Sequence, residues 1–248
     1  MTPKNPQEIE TMREGGRRLA KIRDQLAAAV KPGVSGKDLS AMARDLIKQS
    51  GMQAVVLGYE GFPDVICVSV NECIVHGVPT DEKFQTGDVV KVDVTLGYKG
   101  LVLDSAVTVV AGKNSDPDIK RLIEGTQRSL AAGIAAIRGD GTRIGDISAA
   151  VQDVLNKYKL GIIRDLVGHG VGYDIHEEPN IPNYGVAGTG PVLHTGATIA
   201  IEPMASLGDW QIGSLKNGSI IMRDGSLGAH FEHTVLITEN GAEILTTP

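Results

Sequence analysis

The chain has 248 residues, of which 42% are hydrophobic and only 4% are aromatic, and its formal net charge is −6. This hydrophobic content suffices for a large core, which aliphatic side chains must fill. The acidic balance disfavours nucleic acid or an anionic membrane as the main partner, and the longest apolar runs are too short to span a bilayer. The two cysteines, Cys67 and Cys73, predict no disulfide framework. The start of the chain has no apolar signal region, so we expect a cytoplasmic protein.

Four segments have the composition of helices, and they cover residues 6–29, 35–50, 116–137 and 144–158. The third segment begins at Asp116-Pro117, where the Asp side chain accepts hydrogen bonds from free N–H groups and Pro suits the first turn. The remaining segments alternate short apolar strands with Gly-rich turns. This arrangement predicts an α+β fold.

A buried strand over residues 89–96 and a returning strand over residues 101–110 predict a hairpin. A turn centred in the middle of the four residues between them makes Asp93 and Asp104 direct cross-strand partners. Directly opposed Cβ atoms lie about 4.5–5.5 Å apart, where like charges are destabilising, and burying unpartnered carboxylates costs more still. Because a cation between the two carboxylates removes both problems, the hairpin predicts a metal site.

Several short segments recur in the same order in the two parts of the chain. The recurring pairs are Asp38-Leu39-Ser40-Ala41 with Asp146-Ile147-Ser148-Ala149, His76-Gly77-Val78 with His169-Gly170-Val171, Thr86-Gly87 with Thr195-Gly196, and Asp104-Ser105-Ala106-Val107 with Glu232-His233-Thr234-Val235. Each match alone is weak evidence for a repeat, but the shared order of the four pairs is stronger evidence. We therefore expect a single domain over residues 1–248 that consists of two related halves, roughly 1–112 and 113–248.

If the halves are related, their acids converge on one site between them. The matched acids pair Asp93 with Glu202 and Asp104 with Glu232, and His169 lies in a Gly-His-Gly turn. Four carboxylates and one imidazole form a hard, oxygen-rich set that carries too much charge for one divalent ion and suits two. Each residue taken singly has an ordinary explanation, such as a cap or an ion pair. The five at matched positions favour a metal site.

The whole chain resembles the bacterial type I methionine aminopeptidases, which are metallopeptidases of family M24. The blocks that carry the resemblance are Ser69-Val-Asn-Glu-Cys-Ile-Val-His-Gly-Val-Pro, Gly168-His-Gly-Val-Gly-Tyr-Asp-Ile-His-Glu-Glu-Pro, Ile201-Glu-Pro-Met and Phe231-Glu-His-Thr. The resemblance implies the pita-bread (creatinase/aminopeptidase) fold, with two pseudo-symmetric halves around a central antiparallel sheet. The family's metal-binding positions fall on Asp93, Asp104, His169, Glu202 and Glu232.

The resemblance also implies a reaction, the removal of the N-terminal methionine from nascent proteins and peptides with a small second residue. Two divalent ions (Co, Mn, Fe or Zn), both bridged by Asp104 and Glu232, would acidify the attacking water. Glu202 would assist proton transfer from that water. His176 resembles the histidine that polarises the scissile carbonyl, and His76 resembles the one that contacts the peptide backbone.

Tyr59, Phe62 and Cys67 fall where the family lines its methionine pocket. The resemblance further implies a monovalent cation near Asn71 and Cys73, a monomeric protein, and transient association with the ribosome, although no basic cluster marks a docking site. Neither nucleic-acid specificity nor a membrane partner is expected.

Four positions depart from the family pattern, and none of these substitutions replaces a predicted metal ligand. Ser219 stands where Trp is usual at the pocket rim, Glu60 where His occurs in some relatives, His230 where Gln is common, and Ile175 where Phe is frequent. We expect retained hydrolysis with an altered rate or preference.

Prolyl peptidases and creatinases share this fold and a similar metal set, but they usually carry an additional N-terminal domain, whereas this chain begins at the catalytic region. Type II methionine aminopeptidases carry a helical insertion for which residues 176–202 leave no space. Non-enzymatic proteins of this fold commonly lose metal ligands, and here all five positions are filled. The acidic balance disfavours a nucleic-acid module.

Overall fold

The computed structural model describes residues 2–113 and 115–248. Its α helices are α1 Pro6–Ala29, α2 Gly36–Ser50, α3 Pro117–Ala135 and α4 Ile144–Lys157, and a 3-10 turn covers Tyr59–Gly61. The strands are β1 Gln53–Ala54, β2 Cys67–Val70, β3 Cys73–Val75, β4 Val89–Tyr98, β5 Leu101–Val110, β6 Gly161–Ile162, β7 Gly168–Gly170, β8 Glu177–Ile181, β9 Thr198–Ile201, β10 Met204–Ser206, β11 Ile212–Ser214, β12 Ile220–Met222, β13 Gly228–His230, β14 His233–Thr238 and β15 Gly241–Ile244. Within these described residues, no helix has both the length and the apolar character needed to cross a membrane.

All four predicted helices form, and the starts of α1, α2 and α3 follow from capping side chains. Asn5 and Ser35 each complete a capping box with the acid three residues later. The Asp116 side chain accepts hydrogen bonds from the backbone N–H groups of Asp118 and Ile119, as its position before Pro117 predicts. The predicted C-terminal ends of the third and fourth helices are one or two residues too long, because fraying ends carry little sequence signal.

The β4–β5 hairpin differs from the predicted register by two residues. Asp104 pairs with Thr95, so Asp93 lies diagonally across from Asp104 and the prediction of direct pairing is wrong. The reason is that β4 runs two residues further and the turn lies at Lys99-Gly100, whose φ values of 50° and 84° suit a two-residue hairpin. A shift of two residues preserves the side-chain face. Both carboxylates therefore still project from the same side.

The strands form antiparallel sheets, as the predicted α+β class requires. In one sheet β4 pairs with β5 on one side and with β1 and β2 on the other, and a second sheet has the order β15-β14-β9-β7-β8. Two further sheets have three strands each, β13-β10-β6 and β11-β12-β3. The expected central sheet thus consists of two larger sheets, which contact each other where β5 meets β14.

Two hydrophobic cores lie on either side of this contact. The first consists of residues between 12 and 111 together with Leu236 and Leu245, and α1 packs there on β4 and β5. The second consists of residues between 122 and 237, where α3 and α4 pack together. Val107 in β5 contacts both cores. The two cores are distributed along the chain in the way that two halves would predict. The division of the chain into two related halves stays a prediction.

Side-chain hydrogen bonds join the two cores at the β5–β14 contact. The Asp104 N–H donates to Thr234 Oγ1 at 2.9 Å, and Ser105 Oγ donates to the Glu232 carbonyl at 2.7 Å. The buried Arg23 guanidinium on α1 donates to Ser105 Oγ at 2.6 Å. These bonds set the position of Asp104 relative to Glu232, although 128 residues separate them in the chain.

The hairpin turn predicts opposite behaviour for two substitutions at Lys99. Val in the left-handed region is strained, whereas Asn before Gly is favoured there, so Lys99→Val is expected to be less stable than Lys99→Asn by about 1 kcal/mol. Both changes remove the same ammonium from the Tyr98 ring, 5.3 Å away, so their difference isolates the backbone. Urea unfolding midpoints measure it, and equal midpoints would contradict the assigned turn.

Candidate active site

Two carboxylates come from the β4–β5 hairpin. Asp93 on β4 and Asp104 on β5 lie within hydrogen-bonding reach of each other. Thr95, the direct cross-strand partner of Asp104, donates its hydroxyl to Asp104 Oδ1 at 2.9 Å. The sequence analysis missed Thr95 because the predicted register placed Asp93, and not Thr95, opposite Asp104. The hydrogen bond holds the Asp104 carboxylate in one orientation beside Asp93.

The other three side chains come from the five-stranded sheet. His169 on β7 pairs with Ala200 on β9, and Glu202 follows β9 directly. Glu232 precedes β14, which is the other neighbour of β9. His169 Nδ1 lies 3.0 Å from the Gly170 carbonyl, to which its N–H donates, so Nε2 keeps a free lone pair. That Nε2 lies 3.4 Å from Glu202 Oε1.

The five residues predicted as metal ligands come together in one place. Ligand atoms of the buried Asp104, His169 and Glu232 all lie within 4.8 Å of one another. Asp93 adjoins this group through Asp104, and Glu202 adjoins it through His169. Residues that lie on or next to five different strands thus form one cluster at the contact between the sheets.

The electrostatics of this cluster favour the binding of a cation. Loss of solvation, reinforced by the neighbouring carboxylates, raises the pKa of Asp93 and of Glu232 well above their usual ranges. Loss of solvation likewise raises the pKa of Glu202 to about 8, against the attraction of His169. In the described part of the chain, the ion pairs of Glu202 and Glu232 are with histidines. Carboxylate and imidazole donors in this arrangement fit divalent metal ions.

A second histidine, His230, faces the same carboxylates. Its Nε2 lies 3.5 Å from Glu202 Oε2 and 4.0 Å from Glu232 Oε2. Loss of solvation lowers its pKa to about 4, so the imidazole is neutral at pH 7. The sequence showed His230 only as a replacement for Gln, and the fold brings it to the cluster.

A cavity of about 600 Å³ opens beside the cluster, and all five predicted ligands line it. Tyr59, Phe62 and Cys67, which were predicted to form a methionine pocket, also line the cavity. Further apolar lining comes from Ile175, which the sequence marked as a departure from the family pattern, and from Val56, Val75 and Val78, which were not predicted. A cavity lined by both apolar side chains and a cluster of polar groups suits a substrate that has an apolar side chain next to a reacting polar bond.

The two predicted catalytic histidines, His76 and His176, line the same cavity. The His176 ring packs edge-on against the His169 ring at 4.6 Å between centroids, and its Nδ1 lies 3.0 Å from Tyr59 Oη. Loss of solvation lowers the pKa of both histidines, with His230 adding to this effect at His76 and His169 at His176. Both are therefore neutral near pH 7 and able to donate one hydrogen bond without carrying charge.

The departures from the family pattern lie in different environments. Glu60, Ile175 and His230 line the cavity. Ser219 is buried behind the rim, where its Oγ accepts a hydrogen bond from the Val78 N–H at 3.4 Å. The cavity lining at this segment consists of Lys216, Asn217 and Gly218 instead.

A buried amino group lies near the predicted monovalent-cation position. Lys91 is 1% exposed, and its Nζ donates to the Asn71 carbonyl at 2.7 Å and to the Val89 carbonyl at 3.4 Å. Loss of solvation lowers its pKa to about 7, and Cys73 is close enough to oppose this shift. The lysine amino group thus already binds the Asn71 carbonyl, next to the predicted position of the cation.

Comparison with known proteins gives a consistent result. A model of metallopeptidase family M24 matches residues 10–239. The methionine aminopeptidase 1 of Bacillus subtilis is 42% identical over 244 residues, which are 98% of each chain. The crystal structure of the Thermotoga maritima methionine aminopeptidase has a TM-score of 0.97, with 44% identity and full coverage of both chains.

Prolidase from Pyrococcus furiosus is more distant, with a TM-score of 0.79 and 24% identity over 99% of this chain and 65% of that one. At this identity the likeness concerns the fold alone. The predicted pita-bread fold is confirmed by these structural neighbours. The chain belongs to metallopeptidase family M24 and, within it, to the bacterial-type methionine aminopeptidases.

Proposed function

We propose that the protein is a methionyl aminopeptidase, a metal-dependent hydrolase that removes the N-terminal methionine from peptides with a small second residue. The observation that carries this proposal is the meeting of four carboxylates and His169 on the wall of an apolar cavity that also holds His76 and His176. The named relatives support the choice of methionine as the residue removed.

Two divalent ions would be held by Asp93, Asp104, His169, Glu202 and Glu232, with Asp104 and Glu232 shared between the ions. The raised pKa values of the buried carboxylates support this assignment, because such groups bind cations in place of protons. Co, Mn, Fe and Zn all suit these donors. When bound, such ions lower the pKa of water and polarise a carbonyl group.

The side chains of the cavity would position the substrate. The unbranched methionine thioether would contact Tyr59, Phe62 and Cys67, since a flexible apolar side chain adapts to an irregular apolar pocket. Glu60 would face the free amino group from the cavity wall. Glu202 would accept a proton from the attacking water and pass it to the leaving amine, a role that suits a carboxylate whose pKa is raised towards neutrality.

His176 would donate a hydrogen bond to the oxygen of the scissile carbonyl. When the Tyr59 hydroxyl donates to Nδ1, the ring proton sits on Nε2, which is the nitrogen left for the substrate. Such a donor stabilises the negative charge that develops on this oxygen. His76 would contact the peptide backbone near the leaving amide.

The proposal extends to cellular context. Because newly made chains carry the N-terminal methionine, the protein would act in the cytoplasm and associate transiently with ribosomes. It would do so as a monomer. The monovalent cation near Asn71 and Cys73 stays a prediction, and it would compete with the Lys91 amino group for the Asn71 carbonyl.

The proposal predicts metal-dependent release of methionine. Metal-stripped protein is expected to be inactive on Met-Ala-Ser, and activity should return with one or more of Mn, Fe(II), Co and Zn. Met-Leu-Ser should be cleaved at least about tenfold more slowly, because a larger second residue crowds the site. Chromatography of released methionine measures both rates, with Asp104→Asn as the inactive control. Folded, metal-loaded protein that releases no methionine would rule the proposal out.

The roles of His176 and Tyr59 predict a graded loss of activity. His176→Ala should lower kcat by about 10²–10³, since it removes a donor to the developing oxyanion. Tyr59→Phe should lower kcat by only about fivefold, because it removes one hydrogen bond of about 1 kcal/mol behind the donor. His194→Ala on the exposed surface is the matched control. Steady-state kinetics on Met-Ala-Ser decides the order, and an unchanged kcat in His176→Ala would remove His176 from the mechanism.

The raised pKa of Glu202 predicts how pH affects the metal-free protein. The unfolded chain loses this proton near pH 4.5, whereas the folded chain holds it to about pH 8. Between these values the folded state binds more protons, so the free energy of unfolding falls as pH rises, by at most about 1.4 kcal/mol per pH unit for one proton. Melting temperatures from about pH 5 to about pH 8 should decline without metal. The decline should be smaller in Glu202→Gln, and a flat profile in the wild type would contradict the assignment.

A further inference from the structure

His230 is a buried histidine whose ring has no hydrogen-bonding partner among the described residues. Its side chain is 2% exposed, and neither ring nitrogen is hydrogen-bonded to any residue that the structure describes. A buried polar group that is left unpaired lowers stability, so such groups in native proteins call for an explanation.

The backbone holds this imidazole in one place. The backbone N–H of His230 donates to Thr108 Oγ1 at 2.9 Å, and the Thr108 hydroxyl donates back to the His230 carbonyl at 2.6 Å. His230 also pairs with Met204 in the β13–β10 ladder. The ring is therefore presented to the carboxylate cluster by a rigid strand rather than by a loop.

The distances from Nε2 fit a shared metal ion better than direct hydrogen bonds. Glu202 Oε2 lies at 3.5 Å and Glu232 Oε2 at 4.0 Å, both beyond the usual hydrogen-bond range. Two donors on metal bonds of about 2.1 Å lie roughly 3.5–4.0 Å apart when the bonds meet at about 110–145°. The predicted ligands His169 and Glu202 show a similar separation of 3.4 Å.

We infer that His230 Nε2 is a further ligand of the ion held by His169, Glu202 and Glu232, an inference that rests on the proposed metal site. A second imidazole makes this half of the site richer in nitrogen. Nitrogen donors raise the affinity for Co, Fe and Zn more than the affinity for Mn, which prefers oxygen. The position thereby tunes metal choice without altering the five ligands that the family pattern predicts.

The test compares metal binding in wild type, His230→Gln and His233→Gln. Gln is common in the family at the position of His230, so His230→Gln is expected to fold. His233 is a matched control, since it is a neighbouring histidine whose Nδ1 lies 2.8 Å from Thr246 Oγ1, away from the cluster. Titration calorimetry of the metal-stripped proteins should show Co(II) binding weakened about tenfold or more in His230→Gln, with Mn(II) binding changed by about threefold or less. His233→Gln should match wild type.

A spectroscopic count of ligands gives a readout independent of activity. In Co(II)-loaded protein, each coordinated imidazole contributes a hyperfine-shifted, solvent-exchangeable N–H proton resonance. His230→Gln should lack one such resonance that wild type and His233→Gln both show. If His230→Gln proves unstable, His230→Asn serves in the same comparison.

The outcomes separate this inference from the proposed function. Unchanged Co(II) affinity and an unchanged set of imidazole resonances in His230→Gln would overturn the inference while methionine release left the proposed function standing. Wild-type protein that binds no divalent ion would overturn both. Loss of one resonance together with selective loss of Co(II) affinity would support His230 as a ligand.

Discussion

The mutual repulsion of carboxylates that have lost their solvation is the constraint on which the rest of this structure depends. Asp93, Glu202 and Glu232 all have raised pKa values, and the Coulomb contribution of Asp104 is common to all three. Without a cation, the repulsion within such a cluster lowers the stability of the fold. A divalent ion bound between the carboxylates removes this repulsion, so the cluster has a high affinity for such ions. The family membership of the chain agrees with this reading, because M24 is a metallopeptidase family.

The position of the cluster explains how the fold withstands this repulsion. The carboxylates lie where the hairpin β4–β5 meets the five-stranded sheet, and a hydrophobic core supports each side. Hydrogen bonds from Asp104 to Thr234 and from Ser105 to Glu232 cross this contact. The geometry of the site therefore depends on the docking of two cores, so a change far from the cavity can displace a ligand when it disturbs that contact.

The cavity combines two chemical environments that the reaction needs together. Apolar side chains, Phe62 and Cys67 among them, line the same space as the neutral His76 and His176. The chain's own departures fall around this space: Glu60 and His230 line it, and Ser219 is buried just behind it. Such substitutions leave the family's metal ligands in place and alter what surrounds them, which is where metal preference and substrate preference are set.

The sequence by itself determined the helices and the fold class, and it predicted which residues lie together in the candidate site. Capping residues such as Asn5, Ser35 and Asp116 act within one turn, so local chemistry sufficed to place the helix starts. The pairing of acids at matched positions, together with the resemblance to a known family, predicted candidate ligands more than a hundred residues apart, and the fold brings them into one cluster.

Only the tertiary structure decided the register and the neighbours of those residues. The predicted hairpin register was wrong by two residues because Lys99 adopts a positive φ, which a lysine in the sequence does not indicate. Asp93 and Asp104 still share one face of the hairpin because strand side chains alternate with a period of two. The hydrogen bond from Thr95, the orphaned ring of His230 and the buried amine of Lys91 depend on how strands distant in sequence pack. Contacts of this kind follow from packing between elements, which no local pattern encodes.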